Sequence, residues 1–285
     1  MKGKLIVLGT PIGNLGDFSP RAVETLKKVD FIIAEDTRVT RKLLNYFNIH
    51  KPLISYFKHN ETNKTDLIIK KIMSGENCAI VSDAGMPTIS DPGEELVKKC
   101  AKANIKVEVV PGPCAFVAAL AVSGLPSNRF TFEGFLGKNK KAVKTHLEEL
   151  KDEKRTMIFY ESPHRLQKSL CSFLKILGNR KISISREITK IYEEVIRTTL
   201  EKAVEIYKNK LVKGEFVIVI AGKKQSKDEL LSLEDGIESA KLLLCDGHSI
   251  NEAAKIVSHK TNLKKSDVYK ELLKEFEIEK FTDLF

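Results

Sequence analysis

The chain has 285 residues, of which 42% are hydrophobic and 30% charged, which excludes a disordered chain and suits two or more ordinary domains. Its net charge of +10 asks for an anionic partner, most commonly nucleic acid, yet from Lys223 onward 11 Lys face 13 Asp and Glu, so the positive excess lies in the first 222 residues. No apolar run approaches the roughly 20 residues of a membrane-spanning helix, and the five scattered cysteines, none at C-x-x-C spacing, suggest neither a metal site nor a disulfide framework and fit a reducing cytoplasm.

The opening segment MKGKLIVLGTPIGN has too short an apolar core for a signal peptide and no cleavage site, and reads as a first strand over Lys4 to Leu8. Ser19 and Pro20 then open a helix as cap and first residue. Strands are expected at Phe31 to Ala34, Leu53 to Ser55, Asn77 to Ser82 and Lys106 to Val110. Helices are expected at Thr40 to Phe47, Thr65 to Met73 and Glu94 to Ala103. This alternation predicts a mostly parallel sheet covered on both faces. After Pro111-Gly112-Pro113 come a helix from Cys114, a strand at Phe130 to Phe135, a helix near Ala142 to Leu150, a strand at Thr156 to Tyr160 and a helix from His164 to Leu177. Strands at Lys181 to Ser185, Glu194 to Arg197 and Glu215 to Ala221 follow, with a helix between the last two. They predict a second α/β domain with a mixed sheet. Past Gly222 the pattern changes to short helices from Ser232, Ser249 and Ser266, with Ser249 and Glu252 as a capping box, in a helix-turn-helix-like arrangement whose negative charge argues against duplex binding and leaves a packing or dimer-contact role open. The expected domains are 1–112, 113–224 and 225–285.

Five loops carry polar residues at strand ends or helix starts: GTPIGNLGD (9–17), EDTR (35–38), SDAGMPTISDPG (82–93), PGPCA (111–115) and ESPHR (161–165). Ligands of open α/β sheets bind at the carboxyl ends of strands, where the loops of the first sheet converge. Neither G-x-G-x-x-G nor G-x-x-x-x-G-K-[ST] occurs, which excludes the usual nucleotide cradles. The ligand is expected to meet backbone groups of stiff loops, with carboxylates for hydroxyl or amine groups.

In order along the chain, TPIGNLGD, AEDTR, SDAGMPTISDPG, PGP, YESPHR, REITK and KGEFVIVI closely resemble the ribosomal RNA small-subunit methyltransferase family that methylates a cytidine 2′-hydroxyl in 16S rRNA. The resemblance runs from about Lys4 to Gly222 and, more weakly, through the helical tail. It implies the tetrapyrrole-methylase fold, S-adenosylmethionine held between two domains, action on 16S rRNA in the assembled small subunit, and a homodimer. It also implies a cofactor site made by Pro11, Gly13, Asp83, Ala84, Gly85, Pro87, Thr88, Ile89, Cys114, Ala115, Glu161 and Ser162. Within the longest loop, Asp83 is expected to face the methyl donor and Asp91 to order the turn into the next helix. One departure is visible: the family pattern P-G-P-S-A is here Pro111-Gly112-Pro113-Cys114-Ala115, and a thiol is a weaker hydrogen-bonding group than a hydroxyl.

A ribose hydroxyl needs a general base, and the candidates are Glu35, Asp36, Glu161 and Lys190, the last requiring a depressed pKa. Glu35, Asp36 and Arg38 would equally serve to buttress loops by ion pairing and helix capping. The RNA surface is expected at Lys138, Lys140, Lys141 and Lys144, with Arg38, Arg41, His164 and Arg165 nearer the cleft. His59 and His164 stand alone and read equally as structural residues, and no residue pattern points to a metal. Two rival readings are a tetrapyrrole methylase of the same fold and an RNA-binding protein without catalysis.

Overall fold

A computed structural model describes residues 2–58, 60–137, 139–223, 232–261 and 263–282. His59 and Lys138 lie outside the described residues. Residues up to Lys223 form one compact unit that contains both expected sheets, and the rest form a second unit.

The first sheet contains β1 (Lys4–Leu8), β2 (Phe31–Ala34), β3 (Leu53–Ser55), β4 (Cys78–Val81) and β5 (Lys106–Val110). Their order is β3-β2-β4-β1-β5, and every pairing is parallel. The connecting helices are α1 (Pro20–Lys28), α2 (Thr37–Tyr46), α3 (Glu61–Met73) and α4 (Glu94–Lys102). Strand side chains alternate between the two faces of a sheet, and here both faces are buried. Leu5, Val7, Phe31, Ile33, Cys78 and Ile80 share a core with Ile68 and Ile72 of α3 and Leu96 and Cys100 of α4. Ile6, Leu8, Ile32, Ala34, Ala79 and Val81 share another with Ala22 and Leu26 of α1 and Leu44 of α2. That two-sided burial is why the strands read as unbroken apolar runs. The order also sets β1 beside β4, which send their chains to opposite faces, so a crevice opens at their carboxyl ends.

Helix boundaries follow local caps. Ser19 accepts from the Ala22 amide, with Pro20 in the first turn, as expected. Helix α2 begins ahead of the expected Thr40 because the Asp36 carboxylate caps it, accepting from the Arg38 amide at 2.8 Å. Helix α3 also starts early, at Glu61 rather than Thr65, behind Asn60, whose Oδ1 accepts from the Phe57 amide.

The second sheet contains β6 (Phe130–Phe135), β7 (Thr156–Glu161), β8 (Lys181–Arg186), β9 (Glu194–Thr199) and β10 (Phe216–Ile220). Its order is β6-β7-β10-β8-β9, with β6 parallel to β7 and the other pairs antiparallel. Helices α6 (Lys140–Glu149), α7 (Leu166–Leu177) and α8 (Leu200–Ile206) bury Leu147, Leu170, Phe173 and Leu200 against Met157, Phe159, Ile184 and Ile218. The opposite face packs Ile158, Val217 and Val219 on Ala119 and Leu120 of α5 (Ala115–Ser123), the helix that links the sheets. The expected parallel sheet, mixed sheet and helical tail are all present.

The tail comprises α9 (Leu233–Cys245), α10 (Ile250–Lys260) and α11 (Lys265–Thr282). Ile237, Ala240, Ala253, Ala254, Val257, Val268 and Leu272 form its own core, and capping boxes at Ser232/Asp235 and Ser249/Glu252 open α9 and α10.

Gly9 closes the central crevice from below. Its amide donates to the Val110 carbonyl at 3.1 Å, and an added Cβ would lie 2.7 Å from Gly112 Cα and 2.6 Å from Met86 Sδ. Backbone cannot give way as a side-chain tip can, so Gly9→Ala is expected to cost about 1–3 kcal/mol. Urea unfolding should show a lower midpoint at unchanged slope.

Candidate active site

The loops that leave β1 and β4 are tied together before either reaches its helix. The Thr10 amide donates to Gly85 O at 2.8 Å, the Gly85 amide donates back to Thr10 O at 3.2 Å, and the Thr10 hydroxyl donates to Ser82 O at 3.1 Å. Gly85 is left-handed, with φ of 86°, and an added Cβ would stand 3.3 Å from Ile12. Two further residues of the same loop, Thr88 (φ 73°) and Ser90 (φ 66°), are left-handed without being glycine. Such residues cost about 1–3 kcal/mol each and persist only where the surroundings hold them. Here Glu61 Oε1 accepts from the Gly93 amide at 3.0 Å, and Ser90 Oγ sits over Gly134 at the bulge of β6.

These loops and the second sheet enclose a cavity of about 390 Å³, within the size range of small-molecule sites. Eight of the sequence-expected residues line it: Asp83, Ala84, Gly85, Ile89, Cys114, Ala115, Glu161 and Ser162. Pro87 and Thr88 line a neighbouring groove instead. Ile12, rather than Pro11 or Gly13, reaches the cavity wall. Gly13 has another position: an added Cβ would lie 2.4 Å from Lys190 Cγ, so its lack of a side chain lets the loop after β8 settle on the loop after β1. Sequence reading missed Met86, Ser90, Asp91, Phe135, Tyr160, Pro163, Ile188, Glu215, Phe216 and Val217, which also line the cavity. Apart from the residues of the 82–93 loop and Pro163, these are strand or strand-end residues of the second sheet. Nothing local marks them, because only the pairing of β6, β7 and β10 and the loop after β8, which carries Ile188, brings them together.

Carboxyl groups gather on the first-sheet side. Asp83 is exposed and Asp91 is half-buried. Burial first, then Glu35 and Asp83, push the Asp91 carboxyl up from its ordinary value to about 7, with a hydrogen bond from Ser82 opposing. Glu35 is raised by burial and then by Asp83 and Asp36. Asp83 is raised by burial and by Asp36, while the Asp36 amide, 3.1 Å from Asp83 Oδ1, and the Arg38 charge oppose. Asp36 differs: Arg38 holds its carboxylate down to about 2 through hydrogen bonds to Nε, Nη2 and the amide. Of the two aspartates in the loop, Asp91 is thus the deeper and the more perturbed. Cys114 caps α5 with no side-chain cap bond of the usual kind, and burial pushes its thiol up, so it stays protonated at neutral pH.

The second sheet's charged residues are engaged with one another. The buried Glu161 carboxylate accepts from the Ser169 hydroxyl, from the Ser162 amide at 2.8 Å and from Arg165 at 2.9 Å. Arg165 also donates to Leu136 O at 2.8 Å and to Ser162 Oγ at 3.3 Å, so its guanidinium braces the loop that carries Ser162. Lys190 Nζ donates to Glu187 at 2.8 Å and Glu215 at 3.0 Å. Burial would lower its pKa, but these two carboxylates outweigh it and raise the pKa, so Lys190 lacks the depressed value that a basic role required. Among the other expected RNA contacts, Arg38, Arg41, Lys140, Lys141, Lys144 and His164 are exposed, Arg38 being paired with Asp36.

The tetrapyrrole (corrin/porphyrin) methylase family model matches residues 4–204. The ribosomal RNA small subunit methyltransferase I of Synechocystis is 44% identical over 268 residues, covering 94% of this chain and 96% of its own. That of Halalkalibacterium halodurans is 45% identical over 271 residues, covering 94% of each. Among solved structures, the uroporphyrin-III C-methyltransferase of Thermus thermophilus superposes with a TM-score of 0.55 at 18% identity, over 76% of this chain and 94% of its own. At that identity the likeness speaks for the fold alone. Among the described residues no helix is long and apolar enough to cross a membrane.

The state of Asp91 links stability to pH. Between about pH 4 and pH 7 the folded chain keeps a proton on this carboxyl that the unfolded chain has lost. Stability therefore falls as pH rises through that window and stays low above it. Asp91→Asn is expected to remove the loss, gaining about 1–3 kcal/mol at pH 8 and nothing at pH 3.5, as read from urea midpoints at the two pH values.

Proposed function

This chain belongs to the ribosomal RNA small-subunit methyltransferase I family, and from that premise we propose that it transfers a methyl group from S-adenosylmethionine to the ribose 2′-hydroxyl of a cytidine in 16S rRNA, on the assembled small subunit in the cytoplasm. The observation that carries the reading is the cavity between the stiff loop after β4 and the second sheet, apolar in its walls and acidic on one side. Its residues fit the cofactor. S-adenosylmethionine is cationic at its sulfonium and amino groups, and a nearby cation would favour the charged forms of Glu35, Asp83 and Asp91, which burial first and neighbouring carboxylates second hold above their ordinary values. The side chains of Ile12, Met86, Ile188 and Val217 offer apolar contact, and Gly85 lines the cavity with no side chain of its own, its amide and carbonyl being engaged with Thr10. When bound, the cofactor supplies a methyl group already activated by its positive sulfur.

What the chain must add is alignment and a proton acceptor. We assign the acceptor role to Asp91. Asp36 is held by Arg38, Glu161 by Ser162, Ser169 and Arg165, and Lys190 is kept charged by Glu187 and Glu215. Asp91 lines the cavity and titrates near neutrality, where a general base is most effective. Asp83, at the cavity rim, and Glu35 are read as groups that favour the cationic cofactor. Glu161 and Arg165 position the Ser162 loop.

The RNA backbone is assigned to α6. Lys140, Lys141 and Lys144 stand exposed near its start, the first two in the first turn, where the helix dipole disfavours cations. A structural role would place them elsewhere, and an anionic partner removes the conflict. The acidic helical tail is left out of this surface. A homodimer is supported by apolar surface on the edge strand β5 and on α5, where Val109 and Val117 are 57% and 50% exposed.

With labelled S-adenosylmethionine, small subunits are expected to gain label on a cytidine 2′-oxygen. Asp91→Asn should be about 10²–10⁴-fold slower. Label on a tetrapyrrole only, or none on RNA while the cofactor binds, would reject the reading. Changing Lys140, Lys141 and Lys144 together to Glu should weaken subunit binding and flatten its salt dependence, with cofactor affinity by calorimetry unchanged.

A further inference from the structure

The loop between β8 and β9 is longer than a hairpin needs, since two residues can turn antiparallel strands, whereas here Glu187 to Glu193 do so. It is also built to be rigid. Glu187 and Thr189 are left-handed, with φ of 51° and 68°. The Lys190 amide donates to Glu187 O at 2.9 Å, the Glu193 amide to Lys190 O at 3.1 Å, and the Thr189 amide to Glu193 Oε2 at 2.6 Å. The Lys190 ammonium bridges Glu187 and Glu215 while its chain lies over Gly13. At the tip of this braced loop stand two consecutive apolar side chains, Ile191 at 94% and Tyr192 at 75% exposure. Single exposed apolar residues are commonplace, but an aliphatic and an aromatic side chain held outward together on a loop braced by left-handed residues and by the hydrogen bonds of Glu187, Thr189, Lys190 and Glu193 call for a partner.

Position and charge say which partner. Ile188 lines the main cavity and Thr189 the depression beside it, next to Ile12 and Cys114. Tyr192 is four residues beyond Ile188, no more than about 14 Å of chain. From 186 to 194 the loop has Arg186 and Lys190 against Glu187, Glu193 and Glu194, and both cations are ion-paired. It therefore has little to offer phosphate. It has the flat apolar surface on which an unpaired base stacks, the contact by which proteins hold single-stranded RNA without reading its sequence.

We propose that the Ile191–Tyr192 tip of the β8–β9 loop is a base-stacking contact that receives an unpaired nucleobase of the RNA substrate beside the cavity, holding the strand so that a neighbouring nucleotide can enter. The proposal rests on the reading that the substrate is RNA and assigns this loop the base contact, while the α6 lysines take the backbone.

The test compares Tyr192→Ala, Ile191→Ala/Tyr192→Ala and Tyr192→Phe with the unaltered full chain, using small ribosomal subunits and labelled S-adenosylmethionine. Tyr192→Ala is expected to raise the KM for subunits about tenfold to a hundredfold, the double variant further. Thermal midpoint, calorimetric cofactor affinity and kcat at saturating subunits should hold, and Tyr192→Phe, which keeps the ring, should behave as the unaltered protein. An unchanged KM in the double variant overturns the proposal. So does a change of oligomeric state by sedimentation, which would assign the tip to a second copy of the chain. If the unaltered protein methylates no RNA, the underlying reading has failed, and the proposal with it.

Discussion

The backbone bridge between Thr10 and Gly85 is the constraint on which the site depends. Two neighbouring strands of a parallel sheet diverge at their carboxyl ends, because their chains must reach helices on opposite faces. Without a link, the loops after β1 and β4 would part. Two reciprocal amide bonds and the Thr10 hydroxyl hold them together, the left-handed conformation of Gly85 suits a glycine, and beside them Gly9 and Gly112 let the loops after β1 and β5 approach. From that clasp the loop after β4 is carried out over the cavity by left-handed Thr88 and Ser90 until Ser90 meets the bulge of β6. The first sheet thus reaches the second through backbone geometry, and the cavity is what the two enclose.

Electrostatics then divides the site into unlike halves. On the second-sheet side charges are neutralised in place: Glu161 with Arg165, and Lys190 with Glu187 and Glu215. On the first-sheet side Glu35, Asp83 and Asp91 have no comparable cation, since Arg38 is engaged by Asp36. Burial first, and neighbouring carboxylates second, raise all three, and Asp91, raised by both Glu35 and Asp83, is pushed up to about 7. Burial of charge without a paired cation is destabilising, and a cation placed there would offset it.

Much of this was legible in the sequence. The two-sided apolar strands, the Ser19-Pro20 start and the capping boxes of the tail are local signals, and they fixed the α/β class and both sheets. The loop 82–93 stood out because its glycines and prolines exceed what a turn requires. The half of the cavity made by Tyr160, Phe216, Val217 and the loop residue Ile188 was not legible, since the first three look like any strand residue, Ile188 like any loop residue, and only the tertiary fold sets them around the cavity. The roles within the 82–93 loop were also hidden. The sequence reading expected Asp83 to face the methyl donor and Asp91 only to order the turn, whereas both line the cavity, Asp83 exposed and Asp91 half-buried beyond the left-handed Thr88 and Ser90. Lys190 shows the same limit: as a base it would need a depressed pKa, and only the fold reveals that Glu187 and Glu215 surround it and raise its pKa instead.

The distribution of charge outside the cavity separates this chain from a small-molecule enzyme on the same scaffold. A tetrapyrrole ligand would need only the cleft, and nothing in its chemistry would place Lys140 and Lys141 against the dipole of α6 or hold Ile191 and Tyr192 away from the protein on a braced loop. A polynucleotide has two separable surfaces, a charged backbone and flat bases, and the protein has a matching pair of features on two different elements of the second sheet's half. On the reading proposed above, the cavity shared with the fold would set what chemistry is done, and these features would decide how large a molecule can be held while it is done.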